Sequence, residues 1–291
     1  MGPAYTTLLL AYSLLDRKEV STLQRLHVPL VVIPDTQGAI TQLRVMHGWL
    51  DAHGLLDGRT IALLGDYLDR GESPRDVVQF VMELVADGAL AIRGNHEDIT
   101  VKAFLTLDCD DDFASKHPAE VEHWFNNFFH IEDNTLLSYS LSRHGKSRVD
   151  AIKALRDVMA SQGHLGFLMD LPAFTESWHE NRHMVLTHAG VLPHVPWHMQ
   201  RTDLERSLNS LLEAPPQIYS RDLARLTNHT MTGQQVISGH SPRETPFVSA
   251  KRVMLDCGAG KPGRPLVAWV SDTNQVVKVY PDGSISSTDP D

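Results

Sequence analysis

The sequence predicts a mixed α/β fold (α+β in its later part), and three observations along its 291 residues lead to this prediction. A unit of strand, polar turn and helix repeats three times between residues 28 and 107, a pattern typical of βαβ folds. Residues 107–174 have mainly helical periodicity. After Pro172, short apolar segments separated by turn residues predict further strands. We therefore expect a sheet-based body that carries a helical insertion.

The first part of the fold consists of three strands, each followed by a helix. Apolar and β-branched runs predict the strands, and apolar side chains spaced by three and four residues predict the helices. The second helix has a start signal, because Pro74 follows Ser73 and proline is favoured in the first helical turn. The strands are predicted at residues 28–34, 60–64 and 89–92, and the helices at residues 40–50, 73–85 and 97–107.

The middle of the chain differs, because helical segments follow one another without strands between them. They are predicted at residues 121–129, 149–159 and 164–171, after an acidic loop at residues 108–112. Strands return at residues 184–187, 236–238, 252–256, 265–270 and 276–280. No repeat or low-complexity linker divides the chain. We therefore interpret residues 1–291 as one domain, with residues 107–174 as an inserted helical cap.

Composition restricts the function classes. The net charge of −10 disfavours nonspecific binding to nucleic acid or to an anionic membrane, so neither partner is expected. The two cysteines, Cys109 and Cys257, form no close pair, which argues against a disulfide framework and suits the reducing cytoplasm. An apolar run at residues 4–15 is too short to cross a bilayer and lacks the basic flank of a signal peptide. We therefore predict a packed N-terminal helix there.

Polar side chains follow the predicted strands at the point where each strand ends. Because open α/β folds build their sites at the carboxyl ends of strands, we expect one sheet edge to gather these side chains. Carboxylate, amide and imidazole groups form a mixed oxygen and nitrogen set that suits Mn²⁺, Fe or Zn²⁺. Two such ions about 3.5–4 Å apart would hold a phosphoryl group for in-line displacement. The residues concerned are Asp35, Asp66, Asn95, His188 and His240.

Four short motifs, in a fixed order, carry a resemblance to a known family. They are Gly-Asp-x-x-Asp-Arg-Gly at residues 65–71, Gly-Asn-His-Glu at 94–97, His-Ala-Gly at 188–190 and Gly-His-Ser-Pro at 239–242. Together they resemble the metallophosphoesterases of the calcineurin-like, phosphoprotein-phosphatase type, including bacterial phosphatases and symmetrical diadenosine tetraphosphatases. The resemblance extends from Val28 to about Gly258. It implies a β-sandwich of two mixed sheets flanked by helices, a four-layer fold.

The resemblance also implies a binuclear metal centre. Asp66 would bridge two divalent ions, of which Mn²⁺ is the expected one and Fe, Zn²⁺ or Mg²⁺ are compatible. Asp35 and Gln37 stand where the family holds the first ion. The second ion would be held by Asn95, His188 and His240.

The implied reaction is attack on phosphorus by a hydroxide that bridges the two ions. His96 would protonate the leaving oxygen, and Asp69 would orient His96. Arg70 and, by a looser match, Arg221 would hold phosphate oxygens. The substrate would be a phosphorylated small molecule, a nucleotide or a phosphoprotein.

One residue departs from the family pattern. The family's first motif is Gly-Asp-x-His-Gly, whereas residues 34–38 are Pro-Asp-Thr-Gln-Gly. Gln37 thus replaces a metal-ligating histidine, and an amide oxygen is a poorer ligand for Zn²⁺ than an imidazole. We expect the first ion to bind more weakly, or to be Mn²⁺ or Mg²⁺, or to use water in place of the histidine.

Three functions remain open at this stage. The first is hydrolysis of phosphomonoesters or phosphoanhydrides, to which Gly-Asn-His-Glu adds a likeness to the serine/threonine protein phosphatases. The second is symmetrical hydrolysis of a dinucleoside polyphosphate, favoured by Pro-Ala-Phe at residues 172–174 and by His-Ala-Gly-Val-Leu-Pro at 188–193. The third is a catalytically weakened fold that acts as a binding or regulatory module, supported only by Gln37.

A further motif matches the pattern of a different class of enzyme. His-Glu-x-x-His at residues 179–183 matches the zinc-protease pattern, which requires both histidines on one face of a helix. Here the segment lies directly before a predicted strand. We therefore expect these histidines to lie in a surface loop with no role in catalysis.

Overall fold

Two β-sheets packed face to face form the centre of the molecule, and helices cover both outer faces. The computed structural model describes residues 28–128, 133–142, 144–227 and 233–288. The N-terminal helix predicted at residues 4–15 lies outside the described residues. None of the described helices is both long and apolar enough to cross a membrane.

Between residues 30 and 106, strands and helices alternate as the sequence predicts. The strands are β1 (Leu30–Ile33), β2 (Thr60–Leu63), β3 (Leu90–Ala91), β4 (Phe174–His179), β5 (Arg182–Thr187), β6 (Gln234–Ser238), β7 (Phe247–Val248), β8 (Arg252–Met254), β9 (Leu266–Val270), β10 (Val276–Val279) and β11 (Ile285–Ser287). The helices are α1 (Ile40–Ala52), α2 (Pro74–Ala86), α3 (Asn95–Thr106), α4 (Asp111–Lys116), α5 (Pro118–Phe128), α6 (Asp133–Ser138), α7 (Arg148–Ser161), α8 (His164–Asp170), α9 (Trp197–Ser207), α10 (Pro216–Tyr219) and α11 (Arg221–Arg225).

Both sheets are mixed. The first has six strands in the order β11-β10-β9-β1-β2-β3, and its β1, β2 and β3 are parallel, as the three repeating units predict. The second has five strands in the order β4-β5-β6-β8-β7, of which β5, β6 and β8 are parallel. The parallel strands of each sheet therefore end together, which brings their polar turns into one region.

Alternation along the strands explains the four layers. In β1, Val31 and Ile33 pack against the helices, whereas Leu30 and Val32 face the second sheet. In β5, Val185 joins the cluster formed with α9 and α10, while its neighbours face the first sheet. Apolar side chains are thus buried on both faces of both sheets, and the order of layers is helix, sheet, sheet, helix. The fold class predicted from the sequence is confirmed.

The helices between residues 107 and 174 extend the outer helical layer of the first sheet. Helices α5, α7 and α8 contact α3, and α6 contacts α2. Their apolar faces belong to the same buried cluster as α1, α2 and the outer face of the first sheet, with Phe128, Ile152 and Leu168 as examples. This packing fixes α6 beside the turn that follows β2.

Several local predictions differ from the structure. The predicted acidic loop at residues 108–112 instead contains the start of α4, where Asp110 caps the helix by accepting a bond from Phe113 N (2.7 Å). The C-terminal part contains three helices, α9 to α11, which were not predicted because α9 is mainly polar and the other two are very short. Strand β4 was also missed, since its buried residues include the polar Glu176 and Ser177. Strands β7 and β11 were missed because they have only two and three residues.

The His-Glu-x-x-His segment is neither a helix nor a surface loop. His179 ends β4 and His183 is the second residue of β5; the two strands form a hairpin in which His179 pairs with Arg182 across a tight turn. His183 Nε2 lies 2.6 Å from Glu176 Oε2, and its ring stacks on Trp178 at 4.2 Å. The histidines therefore cannot form the helical zinc site of a protease.

Candidate metal centre

The predicted site residues meet where the parallel strands of both sheets end. Asp35, Asp66 and Asn95 follow β1, β2 and β3 of the first sheet, whereas His188 and His240 follow β5 and β6 of the second. The expectation that one sheet edge gathers all five is therefore wrong. The two sheets face each other with their parallel strands ending at the same side, so the turns of one sheet approach the turns of the other.

Four donor atoms converge at the centre of this region. His188 Nε2 lies 3.1 Å from Asn95 Oδ1 and 3.3 Å from Asp66 Oδ1. His240 Nδ1 lies 2.9 Å from Asn95 Oδ1 and 3.1 Å from His188 Nε2. Among the described residues, Asp66, His188 and His240 are the only three acidic, histidine or cysteine side chains whose ligand atoms all lie within 4.8 Å of one another.

The outer nitrogens of the two histidines show where their protons lie. His188 Nδ1 is 2.7 Å from Leu64 O, and His240 Nε2 is 3.1 Å from Tyr219 O. A carbonyl oxygen only accepts, so each of these nitrogens carries the N–H. In the neutral rings, the nitrogens that face each other then both present lone pairs, as do the oxygens of Asn95 and Asp66. Four lone pairs aimed at one point fit a divalent cation, and the carbonyls orient the imidazoles as outer partners do in metal sites.

The electrostatics of the same group favour a cation. Burial lowers the pKa of His188, but the Asp66 carboxylate outweighs burial and raises that pKa to about 10. Burial and the neighbouring charge of His188 lower the pKa of His240 to about 3. Burial acts to raise the pKa of Asp66, yet the imidazoles of His188 and His96 hold it well below its usual range. The carboxylate of Asp66 thus favours a positive charge on His188, where a bound ion would replace the proton.

The neighbouring position, where the family holds its first ion, has fewer free donors. Gln37 Nε2 donates to Asp66 Oδ2 at 2.8 Å, and Gln37 Oε1 is buried without a partner among the described residues. Both oxygens of Asp35 accept from His240 N. Burial and the carboxylates of Asp256 and Asp66 raise the pKa of Asp35 well above its usual range. The unpartnered oxygen and three buried carboxylates suit a cation, but the Gln37 N–H competes for the Asp66 oxygen.

His96 stands beside this centre and is held by a carboxylate. Its Nδ1 bonds to Asp69 Oδ2, and its Nε2 lies 3.6 Å from Asp66 Oδ2. Burial acts to lower the pKa of His96, but the carboxylates of Asp66 and Asp69 raise it to about 9. Asp69 is held in turn by Thr135 of α6, whose Oγ1 accepts from Asp69 N (3.0 Å) and donates to Asp69 Oδ1. Sequence reasoning missed Thr135, because no motif surrounds it.

The two predicted phosphate-binding arginines come from different elements, the turn after β2 and the start of α11. Arg70 is half-buried in the turn after β2, and Asn134 of α6 donates to its carbonyl oxygen. Arg221 is exposed at the start of α11, and its charge helps to lower the pKa of His240. Among the described residues, neither guanidinium has a carboxylate within 4.0 Å. Both are therefore free to bind an anion.

Glu97 joins the two principal motifs and is the second residue whose role the sequence did not reveal. It is fully buried, and its carboxylate accepts bonds from the backbone N–H groups of Asp66 (2.7 Å), Tyr67 (2.8 Å), Leu68 (3.1 Å) and Gly94 (3.0 Å). The Glu of Gly-Asn-His-Glu therefore fixes the turn that carries Asp66 against the start of α3.

Two glycines permit this close packing. A Cβ at Gly94 would overlap Asp66, and a Cβ at Gly239 would overlap the carboxylate of Asp35. Each glycine directly precedes a proposed ligand, Asn95 or His240. The glycines of these motifs are thus explained by the approach of one turn to the next.

Comparison with known proteins agrees with this geometry. The family model for calcineurin-like phosphoesterases matches residues 28–244, about three quarters of the chain. The chain belongs to this family. No curated protein gives a significant match. The assignment to the calcineurin-like phosphoesterases rests on the family model.

Solved structures similar to this calcineurin-like phosphoesterase include a candidate diadenosine tetraphosphatase, 18% identical, which aligns over 91% of this chain and 94% of its own with a TM-score of 0.47. A protein serine/threonine phosphatase from Saccharomyces cerevisiae is 14% identical over 93% and 82%, with a TM-score of 0.43. A metallophosphoesterase from Sphaerobacter thermophilus is 14% identical over 90% and 89%, with a TM-score of 0.39.

Proposed function

We propose that this chain is a metal-dependent phosphoesterase that hydrolyses phosphomonoester or phosphoanhydride bonds. The convergence of four lone pairs, from Asp66, Asn95, His188 and His240, is the observation that carries the proposal. A divalent ion held there would supply electrophilic stabilisation of the phosphoryl oxygens and lower the pKa of a water molecule. The mixed donor set suits Mn²⁺ best, and Fe, Zn²⁺ or Mg²⁺ are compatible.

His96 is proposed as the general acid and Asp69 as the residue that positions it. Because Asp69 holds Nδ1, the nitrogen that faces the centre is Nε2. A pKa of about 9 keeps the imidazole protonated at neutral pH. His96 can therefore release a proton from Nε2 to the oxygen of the leaving group.

Arg70 and Arg221 are proposed to bind the phosphate oxygens. A guanidinium matches two phosphate oxygens through its planar fork, and charge-assisted bonds of this kind are among the stronger ones in proteins. Their lack of carboxylate partners among the described residues supports this role. The substrate would be a phosphorylated small molecule, a nucleotide or a phosphoprotein.

Asp35 and Gln37 are proposed to serve a second, weaker ion on the other side of Asp66. The buried, unpartnered Oε1 of Gln37 supports a ligand role, whereas its Nε2 bond to Asp66 weakens the position. We infer that a bound ion would require the Gln37 amide to turn its oxygen toward Asp66.

We further propose that the chain is one catalytic domain and that the helical insertion at residues 107–174 helps to build its site. This is supported by α6, which supplies Thr135 and Asn134 to the turn that carries Asp69 and Arg70.

A cytoplasmic location is proposed because Cys109 and Cys257 are both free thiols.

Binding without turnover is the second candidate function. One observation favours it: Gln37 Nε2 already bonds to the Asp66 oxygen that a first ion would use. In that case the fold would recognise a phosphorylated ligand and release it unchanged.

One set of assays separates these functions. The purified protein is tested on p-nitrophenyl phosphate and diadenosine tetraphosphate with Mn²⁺, Mg²⁺ or Zn²⁺, beside Asp66→Asn and Gln37→His. The phosphoesterase proposal predicts metal-dependent turnover by the wild type and no turnover by the Asp66→Asn variant. Full activity of Asp66→Asn would refute the metal centre. An inert wild type together with an active Gln37→His variant would favour the binding function.

A further inference from the structure

Helix α10 is a single turn, yet its backbone contacts both turns of the second sheet that carry proposed ligands. Gln217 O accepts from Ala189 N at 2.7 Å, and Ala189 directly follows the proposed ligand His188. Tyr219 O accepts from His240 Nε2 at 3.1 Å. The position of α10 therefore affects the position of both imidazoles.

The side chain of Tyr219 extends from α10 to the half of the site that the first sheet supplies. Its Oη donates to Asp98 Oδ2 at 2.6 Å, and Asp98 lies in α3, three residues after the proposed ligand Asn95. Burial and the Asp98 carboxylate raise the pKa of Tyr219 well above its usual range, so the hydroxyl keeps its proton and donates. Tyr219 thus contacts His240 through its carbonyl oxygen and the helix of Asn95 through its hydroxyl.

Asp98 is a fixed anchor for this hydroxyl, because two cationic side chains also hold it. Its Oδ1 accepts from Arg93 Nη1 at 3.2 Å, and Lys102 Nζ lies 2.7 Å from its Oδ2. The side chains of Asp98, Arg93 and Lys102 are all fully buried. A buried carboxylate with three charge-assisted or hydroxyl donors has little freedom to move, so its bond to Tyr219 restrains α10.

The segment between α9 and α10 is held from the same direction. Three of its residues accept side-chain hydrogen bonds from the part of the chain that precedes β4. The pairs are Asn209 Oδ1 with Arg93 Nη1 (2.9 Å), Leu211 O with Trp124 Nε1 (2.8 Å) and Glu213 O with Lys102 Nζ (2.5 Å). Helix α10 is therefore attached to α3 and to α5 of the helical insertion as well as to the second sheet.

We propose that Tyr219 is a positioning residue for the ion held by Asp66, Asn95, His188 and His240, and that its bond to Asp98 sets the separation of the Asn95 and His240 donor atoms. These atoms, Asn95 Oδ1 and His240 Nδ1, come from different sheets and lie 2.9 Å apart. Outer partners that orient metal ligands typically contribute roughly 10–100-fold to metal affinity. The inference rests on the proposed metal-dependent function.

The test is the affinity of the full chain for Mn²⁺, which can be measured without turnover. Tyr219→Phe removes the hydroxyl and retains the carbonyl oxygen that accepts from His240. The protein is first freed of metal with a chelator, and the Kd for Mn²⁺ is measured by calorimetry. Tyr219→Phe is expected to raise this Kd about tenfold. An unchanged Kd would overturn the proposal.

Tyr139→Phe is the matched control. Tyr139 is also buried, and its Oη lies 2.6 Å from His164 Nδ1, so this variant loses a bond of the same length away from the proposed ligands. It is expected to lower the stability toward urea as Tyr219→Phe does, but to leave the Kd for Mn²⁺ unchanged. Equal rises of the Kd in both variants would reduce the effect to general stability and refute the positioning role.

Asp98→Asn breaks the same bond from its other end, so either variant that folds tests the proposal. It is also expected to raise the Kd for Mn²⁺ about tenfold. The double variant should bind Mn²⁺ no more weakly than Asp98→Asn alone, because the second change then has no bond left to break. If the two effects multiplied in the double variant, the two residues would act independently and the proposed link would be wrong.

Activity keeps this inference apart from the proposed function. On p-nitrophenyl phosphate, Tyr219→Phe is expected to lose activity at limiting Mn²⁺ and to regain the kcat of the wild type at saturating Mn²⁺, because excess ion offsets the higher Kd. A loss of kcat that saturating Mn²⁺ does not restore would contradict the positioning role. A wild type that binds Mn²⁺ but hydrolyses nothing would refute the proposed function alone, and the Kd values would still decide on Tyr219. A wild type that binds no Mn²⁺ would refute both.

Discussion

At the scale of single residues, the candidate site depends on unusual backbone conformations. Positive φ angles in side-chain-bearing residues are uncommon and cost of order 1–3 kcal/mol each, so they persist only where the surroundings hold them. Backbone bonds do so here: Gln37 N donates to Asp66 O at 2.8 Å, and Gly71 N donates to Gln37 O at 2.7 Å. The site residues with positive φ are Gln37, Asp66, Asp69, Arg70 and His240.

If His96 is the general acid, the loss of kcat in a His96 variant should depend on how strongly the leaving group needs a proton. His96→Asn is expected to lower kcat on phenyl phosphate by about 10²–10⁴-fold, and by less on p-nitrophenyl phosphate, whose leaving oxygen needs a proton less. Thr135→Val should produce the same pattern at roughly tenfold, because Asp69 then loses two bonds. Thr202→Val, an exposed threonine of α9, is the control. Equal losses on both substrates would contradict the acid role.

The presence of Gln37 in place of a histidine predicts that the two metal positions differ in affinity. After dialysis against Mn²⁺, the wild type is expected to retain about one ion per chain and Gln37→His about two, because imidazole restores the missing ligand. Metal content is measured by elemental analysis, independently of activity. The same content in both proteins would show that Gln37 does not weaken the first position.

At the scale of elements, the start of α3 holds together the two turns that carry Asp66 and Asn95. Glu97 binds four backbone N–H groups of two turns while fully buried. Glu97→Gln is expected to lower the free energy of unfolding by about 2–4 kcal/mol, since the amide cannot satisfy all four donors. Urea denaturation measures the change, and the exposed Glu83→Gln on α2 is the control. A loss no larger than that of Glu83→Gln would contradict this role.

The contact between α2, α8 and the residue that follows α6 predicts that the stability of the fold depends on pH. His164 is buried, with Nδ1 2.6 Å from Tyr139 Oη and Nε2 3.1 Å from Gln79 Oε1. Burial and the charge of Arg75 lower the pKa of His164 to about 4. The unfolded chain, with a histidine pKa of about 6.5, therefore binds a proton first as the pH falls.

The stability associated with His164 is thus complete above pH 6.5 and is lost as the pH falls toward 4. Urea denaturation between pH 7.5 and pH 4.5 is expected to show a smaller loss of stability in His164→Phe than in the wild type. Parallel pH profiles for the two proteins would exclude a buried neutral His164.

Several elements were predictable from the sequence because their local signals agree with their tertiary surroundings. Strands β1 and β2 and helices α1 to α3 have the expected periodicity, and the polar turns between them carry the site. Other features depend on long-range contacts that no local pattern reports. Thr135 contacts Asp69, from which it is separated by 66 residues in the sequence.

At the scale of the whole molecule, function depends on how the two sheets meet. The first sheet contributes carboxylate and amide groups, and the second contributes the imidazoles. The sequence indicated which strands end in polar residues, but not that they belong to different sheets. Register and sheet order are set by the apolar cluster between the sheets, which no single motif encodes. The proposed centre is therefore a property of the sandwich rather than of one βαβ unit.

The most direct test of the central claim is the location of a metal ion in a crystal grown with Mn²⁺. An anomalous difference map should show a peak among Asp66 Oδ1, Asn95 Oδ1, His188 Nε2 and His240 Nδ1, at coordination distances of about 2.0–2.3 Å. A crystal of Asp66→Asn grown in the same way should lack this peak. Absence of a peak in the wild type, or a peak at other residues alone, would contradict the account.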